Sequence, residues 1–285
     1  MKLKAYAKIN LGLKVKGKDE KGYHLLDMVM LPISLCDNIE ITKRDDEEVN
    51  VIVTNNVYLP QDNSITKSIK LMQEKYNFTT GFDVKIEKNI PTQAGMGGGT
   101  SDAAEIIKAV NILMDINVPL KELESLAMQV GSDVVYSLYS TLSRIQGTGE
   151  IYTKIDKEFK YPILIIKPKS GIKTKDCFAL YNKDEDNINE DTIDKLIDSL
   201  EKDLYIVRKY AKNSLLRPAK KIAPIINKII HTLLEHNLDL IQMSGSGSTI
   251  YAIDRDINKL QKVYELIKDD YKFVGIYETK SSKIR

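Results

Sequence analysis

The chain has 285 residues, 42% of them hydrophobic and 29% charged, and its 42 basic and 40 acidic side chains leave a net charge of +2. That length suits one large domain or two ordinary ones, and the even charge balance gives no reason to expect nucleic acid or an anionic membrane as a partner. No apolar run approaches the roughly 18 residues of a membrane span, Met1–Ala7 lacks the apolar core of a secretory leader, and Cys36 and Cys177 are far apart without a CxxC spacing, so a cytoplasmic protein with reduced thiols is expected.

Ile9, Leu11, Leu13 and Val15 alternate with Lys8, Asn10, Gly12 and Lys14, the period of a strand with one buried face, so Lys8 and Asn10 point to the same polar side. Gly17 to Gly22 is a polar turn, after which Tyr23, His24, Leu25 and Leu26 begin another segment. Ile39 and Ile41, then Val49, Val51 and Val53, alternate with polar residues and predict a meander of strands. Ile65, Ile69, Leu71, Met72 and Tyr76 form the apolar stripe of a helix that Asp62 or Asn63 can cap, and Phe82, Val84 and Ile86 mark a strand.

That strand feeds Pro91-Thr-Gln-Ala-Gly-Met-Gly-Gly-Gly-Thr-Ser-Asp-Ala-Ala104, and Ala103, Ile106, Ile107, Val110, Leu113 and Met114 then repeat with helical spacing. Pro119 to Ala127 predicts another helix, ended by Gly131, and Ser132 or Asp133 can cap a short one over Val134–Tyr139. Gly147–Glu150 is a tight turn, and the charged bridge Asp156–Tyr161 is taken as the boundary between domains 1–156 and 157–285. Beyond it come a buried strand at Ile163–Ile166, a charged loop from Lys183 to Lys195 running into a helix, and a long amphipathic helix from Ile222 to Leu234 with Pro224 near its first turn. A strand at Ile241–Met243, a second glycine turn Ser244-Gly-Ser-Gly-Ser248, a strand at Thr249–Ile253, a helix over Leu260–Ile267 and a strand at Phe273–Tyr277 complete an α/β chain whose second half reads as a ferredoxin-like split βαβ module.

Four glycines within Gly95–Gly99 permit positive φ and remove side chains, so that backbone N–H groups can converge on a phosphate at the start of the following helix. The loop lacks the Gly-Lys-Ser/Thr ending of a Walker A sequence and has Thr100 where a dinucleotide fingerprint needs its third glycine, and the competing reading is a plain strand-to-helix turn. On their own, Lys8 reads most simply as a solvated lysine and Asp133 as a helix cap. The three histidines, His24, His231 and His236, are too dispersed for a His-rich metal site, and Ser101, Ser246 and Ser248 lie in no nucleophile elbow.

In order and co-occurrence, Ala7-Lys-Ile-Asn-Leu-Gly-Leu13, Gly22-Tyr-His24, the glycine loop, Gly131-Ser-Asp-Val134 and Met243-Ser-Gly-Ser-Gly247 resemble the GHMP group of small-molecule kinases over nearly the whole chain. The resemblance implies a two-domain fold, ribosomal protein S5 domain 2-like and then ferredoxin-like. It also implies an ATP- and Mg²⁺-dependent kinase that phosphorylates a cytidine diphosphate-linked polyol in the supply of isoprenoid precursors, working as a monomer or weak homodimer. By the same resemblance Pro91, Thr92, Gln93, Ala94, Gly95, Met96, Gly97, Gly98, Gly99, Thr100 and Ser101 wrap the ATP phosphates, and Lys8 and Asp133 form the catalytic pair. Asn10 then assists at the acceptor, Tyr23 and Phe178 sandwich the cytosine, and His24 reads its polar edge. The chain departs from the family pattern at Val135 and Ser248, where proline is usual, at Ser140-Thr141 for a Gly-Gly pair, at Gln146 for an acid, and at Ser214 for an Asp. These departures leave open a diverged kinase for another small alcohol, or a catalytically silent metabolite-binding relative.

Overall fold

The computed structural model describes residues 1–55 and 57–280. Its contacts divide into a first unit of residues 1–7, 35–90 and 97–140 and a second of 8–34, 91–96 and 141 onward. Strands β1 (Lys2–Lys18) and β2 (His24–Lys43), which pair with each other, run through both.

In the first unit β3 (Val49–Val53) runs parallel to its neighbour β4 (Phe82–Glu87), and a parallel pair needs a crossover, supplied here by α1 (Ser64–Tyr76). β4 in turn pairs antiparallel with the end of β2, setting Ile86 opposite Ile39 and Val84 opposite Ile41, all of them buried. Of the two candidate caps for α1 it is Asn63 that acts, its side-chain oxygen accepting from the N–H groups of Ile65 and Thr66 at 3.0 and 3.1 Å. Helix α2 (Gly98–Leu113) packs against α1 and against α4 (Ser132–Tyr139), which also lies on α3 (Leu120–Val130). Neither Ser132 nor Asp133 caps α4. Gly131, in extended backbone with φ 173, closes α3 and opens α4, and both residues lie inside the first turn.

In the second unit the start of β2 pairs with β5 (Ser143–Gly147), which turns at Gly147–Glu150 into β6 (Ile151–Lys154). After β7 (Pro162–Lys167) come the short helices α5 (Thr174–Ala179), α6 (Thr192–Ser199), α7 (Leu204–Tyr210) and α8 (Leu216–Ile222), then α9 (Ile225–Glu235). The long helix read from Ile222 is therefore two, because Pro224 has no N–H to continue α8 and instead starts α9. Strands β8 (Leu240–Met243), β9 (Ile250–Ile253) and β10 (Phe273–Glu278), with α10 (Ile257–Ile267), complete an antiparallel sheet of order β10-β7-β9-β8. Numbered along the chain its strands run 4-1-3-2, the ferredoxin-like arrangement, with α9 and α10 packed against the sheet.

β1 departs from the expected single buried face, since every residue from Ala7 to Val15 is buried. At Gly12 the polar side is covered by α6: a Cβ there would stand 2.5 Å from Leu196 Cδ2 and 3.1 Å from Ile193 Cδ1, so a larger residue would make those side chains shift. No helix among the described residues is long and apolar enough to cross a membrane. Replacing Asn63 with alanine removes the acceptor for two helix N–H groups and is expected to cost about 1 kcal/mol, read from the urea midpoint at unchanged m-value.

Candidate active site

Between Pro91 and α2 the backbone alternates in hand. Gln93, Gly95 and Gly97 take left-handed φ of 50, 69 and 70, a pattern that turns successive N–H groups towards one concave side. Gly97 is the N-cap of α2, and no side chain caps that helix. The loop is held by its carbonyls. Gly95 O accepts from Ser244 Oγ at 2.8 Å, Met96 O from the Lys8 N–H at 3.0 Å, and Gly99 O from Ser64 Oγ at 2.8 Å. Gly97 O takes both the Ser101 N–H, at 2.8 Å, and Thr100 Oγ1, at 2.9 Å. Among the described residues, no N–H from 93 to 100 donates to a protein acceptor. A loop fixed through its acceptors, with its donors left over at the positive end of a helix, is suited to an anion.

Lys8 and Asn10 are 4% and 1% exposed, so the reading of Lys8 as a solvated strand lysine fails. Lys8 Nζ donates to Asn10 Oδ1 at 2.7 Å, as residues two apart on one strand face can. Asn10 is itself fixed: its N–H reaches Ser244 Oγ at 3.3 Å and its carbonyl accepts from the Tyr251 hydroxyl at 3.0 Å, a phenol whose pKa complete burial raises. Ser244 thus touches both the β1 site residue and the glycine loop. Asn213 props the same turn, its amide donating to the carbonyls of Met243 and Gly245 at 2.9 Å each while its oxygen accepts from the Leu215 N–H. Sequence reasoning passed over both residues, although Ser244 opens the second glycine turn and an asparagine is the side chain that can donate twice and accept at once.

Asp133 stands in the first turn of α4, half-buried, with its carbonyl accepting from Ser137 Oγ at 2.9 Å. A carboxylate there is favoured by the helix dipole without being its cap. On α5, Phe178 carries the imidazole of His24 on its face, centroids 4.6 Å apart and planes at 25°, with Tyr181 edge-on to His24 at 6.2 Å. Burial, and then the charge of Lys18, lowers the His24 pKa, so near pH 7 the ring is neutral, with one donor and one acceptor nitrogen. Tyr23 is 64% exposed. No group of three or more His, Cys, Asp or Glu side chains among the described residues could hold a metal ion. Two open cavities, of about 630 and 610 Å³, are lined by none of the expected site residues.

Three of the departures from the family pattern can be placed in the local geometry. Ser140 is left-handed at φ 46, the conformation for which glycine is the easier residue. Ser214 Oγ donates to Asp186 Oδ2 at 2.6 Å, the oxygen that also faces Lys14 Nζ at 3.4 Å, and Ser248 Oγ donates to the Ser170 carbonyl at 2.6 Å.

Gly95 and Gly99 separate backbone demand from mere composition. A Cβ on Gly95 would lie 2.3 Å from the Ser244 carbonyl oxygen at a φ of +69, whereas one on Gly99 meets nothing nearer than Ser64 Oγ at 3.5 Å. Gly95→Ala is expected to cost roughly 1–3 kcal/mol of stability and to weaken nucleotide binding, while Gly99→Ala melts within a degree or two of the parent chain, as thermal scans with and without ATP will show.

Comparison with known proteins bears on the same residues. The family model described as "GHMP kinases N terminal domain" matches residues 63–141. The chain is 36% identical to the 4-diphosphocytidyl-2-C-methyl-D-erythritol kinase of Clostridium beijerinckii, over 98% of this chain and 100% of that one. It is 37% identical to the kinase of the same name from Thermoanaerobacter pseudethanolicus, over 98% of this chain and 96% of that one. In fold it matches a crystal structure of 4-(cytidine 5'-diphospho)-2C-methyl-D-erythritol kinase with a TM-score of 0.82 at 23% identity, over 98% and 99% of the two chains. It also matches the mevalonate kinase of Methanococcus jannaschii at 0.75 and 17% identity, over 99% and 98%. Full-length likeness at this identity places the chain in the family of 4-diphosphocytidyl-2-C-methyl-D-erythritol kinases, within the GHMP kinases.

Proposed function

We propose that this chain transfers the γ-phosphoryl group of ATP to the 2-hydroxyl of 4-diphosphocytidyl-2-C-methyl-D-erythritol. The observation that carries the proposal is the loop whose carbonyls are tied and whose N–H groups from 93 to 100 have no protein acceptor, which suits a bound polyphosphate. Family membership supplies the acceptor. We read residues 1–156 as the N-terminal kinase domain, consistent with the family match at 63–141 falling inside it, and 157–285 as the C-terminal one. We place the enzyme in the cytoplasm.

In this reading the Asp133 carboxylate takes the proton of the acceptor hydroxyl, whose oxygen attacks the γ-phosphorus as the bond to the bridging β–γ oxygen breaks and ADP leaves. Lys8, held by Asn10 Oδ1, places its ammonium where charge accumulates on the transferring group. A Mg²⁺ ion would be held beside the loop by Thr100, Ser101 or the phosphates of ATP with water, and would supply neutralisation of phosphate charge. The cytosine lies between Tyr23 and Phe178. His24, which covers the face of Phe178 in this structure, swings off it and presents its donor and acceptor nitrogens to the base edge.

An ATP-consumption assay across small alcohols with and without a cytidine diphosphate group tests the assignment; turnover with every acceptor but the cytidine ones would overturn it. Asp133→Asn removes the proton acceptor and touches no cap, so stability should fall by no more than about 1 kcal/mol, the contribution of a charge at the start of a helix, while turnover falls by about two to four orders of magnitude with ATP binding kept. Near-normal turnover would remove Asp133 from the mechanism. Phe178→Ala is expected to weaken binding of a cytidine acceptor by about 1–3 kcal/mol while sparing ATP, and equal losses for an acceptor without the base would argue against stacking.

A further inference from the structure

Lys88 and Asp102 flank the glycine loop in the sequence, and with Asp37 they form a group of three buried ionisable side chains that the mechanism above does not use. Lys88, Asp37 and Asp102 are 8%, 0% and 1% exposed. Lys88 Nζ donates to Asp37 Oδ2 and to Asp102 Oδ2 at once. The other oxygen of Asp37 accepts from the N–H groups of Asn89 and Ile90, at 2.5 and 2.8 Å, the last two residues before the loop opens at Pro91. Asp102 sits in the second turn's approach on α2, just after the loop ends at Ser101, and its Oδ1 is buried without a hydrogen-bond partner.

Position along the chain gives these contacts their meaning. One carboxylate fixes the entry to the loop, the other belongs to the helix at its exit, and a single ammonium ties the two together. The residues between them carry no net of their own side-chain charge, so the ends of the loop are fixed to one another through this group. Buried charges of this kind are costly and persist only when paired, yet here two acids share one base. Burial raises the Asp102 carboxyl, against the attraction of Lys88, to about 8. Burial alone would lower Lys88, but the charges of Asp102 and Asp37 outweigh it and hold the ammonium above its ordinary value. The ammonium therefore stays charged near neutral pH, where Asp102 largely keeps its proton and meets Lys88 through its Oδ2, while Asp37 supplies the opposite charge.

We propose that Asp37, Lys88 and Asp102 are positioning residues that clamp the two ends of the phosphate loop together, so that their loss is felt in ATP affinity and not in phosphoryl transfer. The proposal rests on the reading of the loop as an ATP site.

Asp102→Ala is the direct test, because it unties the exit of the loop while leaving Lys88 and Asp37 as a one-to-one pair. With Mg·ATP titrated calorimetrically, the dissociation constant should rise about tenfold, the effect of one lost charge-assisted hydrogen bond, while kcat at saturating ATP stays within about twofold. Asp102→Asn, which keeps an oxygen for Lys88, should recover most of the affinity. Lys88→Met should weaken ATP from the other side of the tie. A folded Asp102→Ala or Lys88→Met chain that binds ATP as the parent does overturns the proposal, as does a loss confined to kcat. If both variants unfold, the group is an element of the fold, and the positioning role falls as well. The parent titration separates the two claims: no ATP binding there would sink the functional reading and this proposal with it, whereas normal parent binding with an unchanged variant-to-parent ratio sinks the clamp alone.

Discussion

A loop that is to receive an anion must be rigid while leaving its best hydrogen-bond donors unused, and the backbone from Gly95 to Gly99 meets that constraint by being held through its carbonyl oxygens. Four consecutive-region carbonyls, those of Gly95, Met96, Gly97 and Gly99, are each taken by a protein donor. In the second unit the donors, Lys8 on β1 and Ser244 on the second glycine turn, take the carbonyls of Met96 and Gly95, and in the first unit Ser64 on α1 and the start of α2 take those of Gly99 and Gly97. Buried backbone donors without partners are normally rare because each costs free energy. Here the unpaired donors run along backbone that ranges from buried at Ala94 and Met96 to exposed at Gln93 and Gly99, at a helix start and with left-handed residues between them, so they are open to a ligand.

The second glycine turn does for β1 what it does for the loop. Ser244 bonds to Asn10 and to Gly95, and Asn213 holds the turn by two of its carbonyls. Lys8 and Asn10 are therefore set against the loop by polar contacts that are all internal to the second unit, on a strand whose other polar side chain, Lys14, is satisfied by the Ile188 carbonyl at 2.7 Å and by Asp186. A strand so rich in lysine can be buried on both faces only because each ammonium finds oxygen.

What the sequence reveals and what it hides follow from range. The ferredoxin-like order is legible because the short apolar runs Ile163–Ile166 and Phe273–Tyr277 and the stripes of α9 and α10 are local patterns. The loop is legible for the same reason. Burial of the polar face of β1 is not, since the groups that cover and satisfy it lie up to 241 positions away, as Tyr251 does from Asn10. Nor is the role of Lys88, whose partner Asp37 is 51 positions distant and sits in a strand that reads as unremarkable alternation. The break at Pro224 was audible but misjudged: a proline tolerated in a first turn also marks the residue where a preceding helix has to stop. His24 lying flat on Phe178 is a tertiary contact with no local trace.

Gly131 is at once the C-cap of α3 and the N-cap of α4, so a single residue joins the two helices. The far end of α4 is fastened too, by the Tyr139 hydroxyl donating to Glu124 on α3 at 2.5 Å. Between these two attachments the eight residues of α4 have a fixed angular phase. A single residue inserted after Gly131 would turn everything beyond it by about 100°, swinging the Asp133 carboxylate off its face while the Tyr139 tie resisted. Substitutions can accumulate along this segment, as Val135 and Ser140 already show, but insertions and deletions cannot: its length is part of the site.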